Sequence, residues 1–380
     1  MSFRLLLLGL IAAGPVHADP VAERDRQLAD MERKLAEAQA KLKALKDPRF
    51  ETLPDEWVNK LTWKQRRPPG KADDGEHVAV DTRKPYRVMD AGAGLAGRAD
   101  PKDPDLLYTA GRDGALTRRD LRTNTAAFLR PRAGAGEADQ FRFRAYPPFL
   151  ISGHDSAVYY AAGNRVFKST KRGEDLPAVS PEITRTAKGA ASAFAESPKD
   201  AGILWVGTDD GAVWLTRDGC QTWTALTEKF RAAGKPYRPV ASIDASRWDT
   251  GRAYVTFDTR PTNDAPPAVF MTADFGQTWT SLTANLPSGS ARVLREDIVN
   301  PDVLFVGAEA GCFVSINRGA AWTRINGAGG LPAAPVTEFA QPAGTDDLVV
   351  GTRGKGVWVL DAAPLRKLTA EQLWKLKTAP

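Results

Sequence analysis

Residues 269–282 read Val-Phe-Met-Thr-Ala-Asp-Phe-Gly-Gln-Thr-Trp-Thr-Ser-Leu. Val269, Phe270 and Met271 make a short apolar strand, Thr272, Asp274 and Gly276 a turn, and Trp279 with Leu282 restarts the apolar pattern. The stretch predicts a β-hairpin. A short carboxylate such as Asp274 accepts hydrogen bonds from the N–H groups of its own turn, and Gly276 takes φ > 0 without a Cβ clash. Trp279 brings a large apolar face back beneath the turn, where we expect it to be buried.

The same spacing, Ser/Thr-x-Asp-x-Gly-x-x-Trp, returns with decay, and a repeated phrase outweighs most other signals in a sequence. Thr216, Asp218 and Trp223 form one copy with Cys220 at the glycine position. Ser315, Asn317, Gly319 and Trp322 form another, with an amide in place of the carboxylate, and the stretch from Ser169 keeps only Ser169 and Gly173. Upstream of these turns lie Ile203-Leu-Trp-Val-Gly-Thr208, Val303-Leu-Phe-Val-Gly-Ala308 and Leu348-Val-Val-Gly-Thr352, with looser versions from Leu106, Val158 and Ala253. The interval is about 45 to 52 residues, the length of one four-stranded propeller blade. An earlier apolar strand precedes each phrase, at Ala191–Ala195, Val240–Asp244, Ala291–Leu294 and Val336–Phe339.

The expected fold is therefore an all-β propeller over residues 77–370. A blade cannot bury both its faces alone, so blades must close into a ring. His77-Val-Ala-Val-Asp81 and Tyr86-Arg-Val-Met89 look like the first two strands of another blade that lacks its turn, as does the last repeat, ending Gly356-Val-Trp-Val-Leu-Asp361. Two incomplete ends suit a closure that pairs both ends of the chain. Counting the first unit gives seven blades, the expected number; setting it aside gives six.

Ahead of this domain, Met1–Ala18 carries Arg4, an apolar stretch from Leu5 to Ala13, and the small residues Val16 and Ala18 around His17. That is the pattern of a signal peptide cut after Ala18, which places the protein in a periplasm or the medium. Residues 19–48 are rich in Ala, Glu, Lys, Arg and Leu and predict a helix stopped by Pro48. Leu28, Met31, Leu35, Ala38, Leu42 and Leu45 alternate steps of three and four, the seam of a coiled coil. The seam is either a self-association surface or the apolar stripe of a lone helix. Residues 49–76 hold Trp57, Trp63 and Arg66-Arg67-Pro68-Pro69-Gly70 and read as an irregular linker, and residues 371–380 as a tail.

Charge and side-chain chemistry narrow the function. A net charge of +6 over 380 residues is too small to point to nucleic acid. No phosphate loop, G-x-S-x-G or H-E-x-x-H is present, and neither a cofactor nor a metal site is expected. His77 and His154 lie beside strands and read as structural. Cys220 and Cys312 fall in turns of opposite faces, so they are expected to be unpaired. Eight arginines between Arg112 and Arg144 either form an anion-binding patch or lie paired with Asp113, Asp120 and Asp139. The repeated turn acids read as structural, because a catalytic site needs one constellation at one place. The central mouth of the ring is the candidate binding rim, with Arg112, Asp113, Asp209, Asp210, Glu309, Arg353 and Lys355.

With these residues in view, the chain resembles the Asp-box (BNR) repeat family of exported bacterial propellers, of glycosyl hydrolase-like or sortilin-like type. The matching phrases include His77–Val88, Ala195-Glu-Ser-Pro198, Leu204-Trp-Val-Gly-Thr-Asp-Asp-Gly211, Gly276–Pro287 and Gly356–Asp361. Family members usually carry two propellers; this sequence is similar to the second, with residues 19–76 in place of the first. The resemblance implies a binding or scaffolding module for a protein or glycan partner. Its alternatives are a glycosidase related to sialidases or xyloglucanases, and an assembly factor of the photosystem type. No residues here match a sialidase arginine triad with its tyrosine nucleophile.

Overall fold

The computed structural model describes residues 30–32, 34, 58, 61–67, 78–81, 87–90, 95–111, 114–132, 141–232, 237–260, 266–326 and 330–368. Residues 49–369 form one compact unit, and residues 1–48 with 370–380 form another. In that second unit Asp30–Glu32 and Lys34 are helical, and Lys34 pairs with Asp30 at 2.7 Å. Met31 is exposed. The remaining seam positions Leu28, Leu35, Ala38, Leu42 and Leu45, and the stretch expected to be a signal peptide, lie outside the described residues.

The larger unit is a six-bladed β-propeller. Blade 1 runs from its inner strand Leu95–Ala99 through Leu106–Gly111 and Leu116–Asp120 to Thr125–Phe128 at the edge. Blade 2 has three strands, Phe149–Ile151, Tyr159–Ala162 and Val166–Ser169; Leu176–Pro177 pairs instead with Pro131–Arg132. The inner strands of blades 3, 4 and 5 are Ala191–Ser197, Val240–Ala245 and Ala291–Glu296, and their outer strands are only Thr224–Ala225, Thr280–Ser281 and Thr323–Arg324. Blade 6 starts with Val336–Ala340, continues through Asp347–Thr352 and Gly356–Asp361, and takes Trp63–Arg67 as its outer strand.

Two expectations are corrected here. The ring has six blades rather than seven, because Val78–Asp81 and Arg87–Asp90 pair only with each other in a two-stranded sheet. The closing strand comes from residues 63–67, inside the stretch read as a linker. Its sequence, Trp-Lys-Gln-Arg-Arg, buries Trp63 and exposes Lys64, Gln65 and Arg66, so its polarity reflects an outer strand with one face in solvent rather than a loop.

The repeated phrases are the second strands, and each is apolar throughout because a blade is covered on both faces. Leu204, Trp205, Val206, Leu304, Phe305 and Val306 are all buried. The glycine in each phrase is a packing requirement: a Cβ on Gly207 would sit 2.4 Å from Val240 of the next blade, and one on Gly307 would sit 2.6 Å from Val336. Neither has space to yield. Gly307→Ala is therefore expected to destabilise the propeller by about 1–3 kcal/mol through overpacking, read as a lowered urea midpoint. An unchanged midpoint would refute this account of the phrase.

The turns share one hydrogen-bond scheme. Thr272 Oγ1 donates to Asp274 at 2.8 Å and accepts from Gly276 N at 2.8 Å, while Asp274 accepts from Thr278 N at 2.9 Å. Thr216 and Asp218 repeat it with Cys220 N and Thr222 N, and Ser315 and Asn317 with Gly319 N and Ala321 N. Cys220 takes φ +82° where the other copies have glycine. Trp279 is only half-buried and donates to its own turn at Gly276 O, whereas Trp322 is 2% exposed and reaches Leu282 O in the preceding blade. The copy with the complete signature is thus not the one whose tryptophan is most buried. Cys220 and Cys312 are both free.

Candidate functional site: the central channel

Each blade contributes its inner strand to a central channel, and four of these strands carry a bulge at the same place. The register shifts between Ala191 and Ala193, Val240 and Ser242, Ala291 and Val293, and Val336 and Glu338. An extra residue re-aims the side chains that follow it. One end of the channel is a cavity of about 200 Å³ lined by residues from all six inner strands or their approaches, among them Arg98, Tyr146, Ser192, Ala241, Arg292 and Glu338. At the other end a cavity of about 610 Å³ is lined by Arg98, Leu150, Asp244, Arg295, Glu338 and Ala340. We call the first end upper and the second lower.

At the upper mouth the structure joins some predicted rim residues and disperses others. Glu309 accepts from Arg292 Nε at 2.7 Å and lies 3.6 Å from Arg260, which pairs with Asp258. Burial lowers the pKa of Arg292, its bond to Glu309 opposes that shift, and the nearby Arg260 and Arg353 lower it further. Arg292 and Arg260 are thus partners of Glu309 that the sequence did not single out, and Arg353 stands near Arg292 as a like charge. Asp209 and Asp210 instead serve the approach to blade 3: Asp209 accepts from Ala190 N, and Asp210 from Arg185 N and Thr186 N at 2.7 Å. Lys355 uses its carbonyl to accept from Trp358 Nε1 and Gln65. Arg112 and Asp113 lie outside the described residues.

Within the arginine-rich stretch Arg118, Arg122 and Arg142 are ion-paired. Arg118 pairs with Glu174 at 2.9 Å, Arg122 with Asp103 and Asp120, and Arg142 with Glu182. The hydrogen bonds from Arg122 pull Asp120 down to a pKa of about 2. His154 lies against Ser197 O at 2.8 Å, a link between neighbouring blades, and His77 lies outside the described residues.

The lower half of the channel holds the perturbed acids. Glu296, 4% exposed, accepts from Ser246 Oγ at 2.8 Å, Arg247 N at 3.0 Å and Tyr254 Oη at 3.0 Å. Burial pushes its pKa up, and so does the charge of Asp244; burial likewise raises Asp244, against the pull of Arg295 3.6 Å away. Both acids therefore hold protons in the folded protein at pH values where the unfolded chain, near 4.5 and 3.8, has released them. The folded state binds more protons, so these groups make stability fall as pH rises above about 4 through their raised values. Asp274 works in the opposite sense: bonds from Thr278 lower its pKa, and its contribution is lost as pH drops below about 4. Glu296→Gln should flatten the upper fall and leave the acid limb unchanged, as measured by urea melts between pH 4 and 8. An identical slope in the variant would dismiss Glu296 as its source.

No protein-family profile matches the sequence, and no curated protein does. Among solved structures the chain is similar to a GH74 enzyme of Niastella koreensis, at 17% identity, TM-score 0.55, and 78% of this chain against 53% of that one. The GH74 xyloglucanase of Xanthomonas campestris gives 16% identity and TM-score 0.52, over 79% of this chain and 53% of that chain. A structure of YCF48 bound to D1 peptide gives 11% identity and TM-score 0.50, over 73% and 82%. The chain spans about half the length of the two GH74 chains. At such identities the likeness concerns the fold alone, a β-propeller.

Proposed function

We propose that this chain is an exported Asp-box (BNR) repeat propeller, acting as a binding or scaffolding module for a protein or glycan through its central channel. The observation that carries the reading is the channel itself: the inner strands place Arg98, Asp244, Arg292, Arg295 and Glu338 along one lumen whose lower cavity holds about 610 Å³. Charged side chains brought together in a cavity are a recognition device in many proteins. YCF48, a similar propeller, is seen with a bound peptide, which supports a protein partner. Among the described residues no helix is long and apolar enough to cross a membrane.

The test is capture from an envelope fraction by the chain from residue 19, beside a form lacking residues 19–48 and a channel variant, Arg295→Glu. A partner held by the first two and lost by the third is expected. Equal capture by all three would remove the channel from the reading.

The likeness to GH74 enzymes favours a second reading, a glycosidase. Hydrolysis needs two reachable carboxyl groups about 5–5.5 Å or 6.5–9.5 Å apart. Three acids line the lower cavity, Asp244, Glu296 and Glu338, and Glu296 is engaged by Ser246, Arg247 and Tyr254, leaving Asp244 and Glu338 as the candidate pair. We expect no release of reducing sugar or sialic acid from a substrate panel. Release abolished by Asp244→Asn or Glu338→Gln would establish the enzyme instead.

A further inference from the structure

We infer that the channel binds a small oxyanion, a carboxylate or phosphate group, clamped between Arg98 of blade 1 and Arg295 of blade 5. The inference rests on the reading of the channel as the binding site and names the chemistry it takes.

Pairing with the second strands puts one residue of each inner strand at a common level. Arg98 faces Tyr108, Leu150 faces Tyr160, Ala195 faces Trp205, Asp244 faces Tyr254, Arg295 faces Phe305 and Ala340 faces Val349. All but Ala195 line the lower cavity. Around this tier the two arginines stand on either side of blade 6, whose residue there is only Ala340. The cavity between them is lined by both arginines and, from the same strand as Ala340, by Glu338.

The two cations are unequally compensated. Arg295 Nη1 donates to Leu294 O at 2.8 Å and lies 3.6 Å from Asp244. Among the described residues the Arg98 guanidinium has no hydrogen bond or ion pair; the charges that act on it are Glu338, which favours its cationic form, and Arg295, which opposes it. Arg98 is open to the lumen yet enclosed by the wall, and the loss of bulk water is the main cause that lowers its pKa. An oxyanion between Arg98 and Arg295 would replace that lost hydration with charge-assisted hydrogen bonds, for which a guanidinium fork is well shaped. Asp244 competes for Arg295, so its charge should weaken the site.

The competing structural use is a set of wall charges that merely hold neighbouring blades. Arg295 and Asp244 fit that use, since Glu296 N donates to Asp244 at 2.8 Å. Arg98, without such a bond, does not.

Titration calorimetry on the full chain at matched ionic strength, with inorganic phosphate, an oligogalacturonate and a neutral oligosaccharide of equal length, tests the site. Wild type is expected to bind phosphate or oligogalacturonate. Arg98→Gln should weaken that binding about tenfold or more, Arg98→Lys should be intermediate, and Asp244→Asn should bind more tightly. Circular dichroism and melting establish that each variant is folded, and Arg98→Lys stands in should Arg98→Gln fail. Oligogalacturonate binding that phosphate displaces identifies a group carried on a polymer, and phosphate alone identifies a free ion. No oxyanion binding by wild type, or equal binding by both Arg98 variants, would overturn the inference. If envelope capture survives in that case, the binding module stands and only its oxyanion chemistry falls; oxyanion binding without any capture gives the reverse.

Discussion

A chain beginning at residue 69 is expected to lose cooperative folding, whereas one beginning at residue 49 should melt in a single transition like the full chain. The difference between them contains the strand Trp63–Arg67, which pairs Trp63 with Leu360, Lys64 with Val359 and Gln65 with Trp358. Without it the last blade has three strands and ends on Gly356–Asp361 as a raw edge. Blade 6 then loses the hydrogen-bonded strand that ties its edge to the chain ahead of blade 1. Trp63 supplies more than pairing. It is 6% exposed, and its Nε1 donates to Ile325 O at 3.1 Å, so the closing strand also fastens blade 6 to the end of blade 5. Trp63→Ala alone should cost about 3–5 kcal/mol, the usual range for truncating a core aromatic. Denaturant melts of both truncations and the point variant measure this; a melt of the 69–380 chain that matches the full chain would show that closure lies elsewhere.

That strand also marks the limit of what the sequence revealed. The second strands were legible because both their faces are buried, leaving runs such as Leu-Trp-Val-Gly with no polar residue inside them. The turns were legible because their hydrogen bonds need particular side chains at fixed offsets. Trp63–Arg67 has one buried aromatic among four polar residues, and its partner strand is nearly 300 residues away, so nothing local marks it. The seventh blade was miscounted for the converse reason: Val78–Asp81 and Arg87–Asp90 have the local alternation of a hairpin, but blade membership is decided by which sheet they join.

The channel charges were hidden in a third way. Arg98, Asp244 and Arg295 each look like the polar half of a half-buried strand, and they converge only through the ring of blades, with bulges re-aiming the strands of Asp244 and Arg295. Of the rim residues, Glu309 bonds Arg292 and Arg353 lies near enough to act on it, while Asp209 and Asp210 accept hydrogen bonds from local N–H donors, contacts that no local pattern marks.

Asp297→Asn should be among the more damaging single substitutions, costing about 3–5 kcal/mol, because it leaves a buried cation with only the exposed Asp346 as counter-charge. Asp297 is fully buried at the end of the inner strand of blade 5, and its carboxylate accepts from Arg366 Nε at 3.1 Å. Arg366 belongs to the short helix Ala363–Arg366, its side chain is 3% exposed, and its Nη1 donates to Thr345 O at 2.6 Å and pairs with Asp346 at 3.0 Å in the first turn of blade 6. Asn300 adds a bond to Leu368 O at 3.1 Å. One guanidinium therefore joins blades 5 and 6 on the side opposite Glu309. Asparagine keeps an oxygen for the N–H groups of Val299 and Asn300, which Asp297 caps at 2.9 and 2.8 Å, so the substitution isolates the charge from the turn. The decisive comparison is the double variant Asp297→Asn, Arg366→Met. If desolvated charge is the cause, removing both partners should cost less than removing Asp297 alone, since no buried ion is left without its counterpart. Costs that simply add in a double-mutant cycle would mean that the pair does not act as a pair, and that the damage comes from the turn instead.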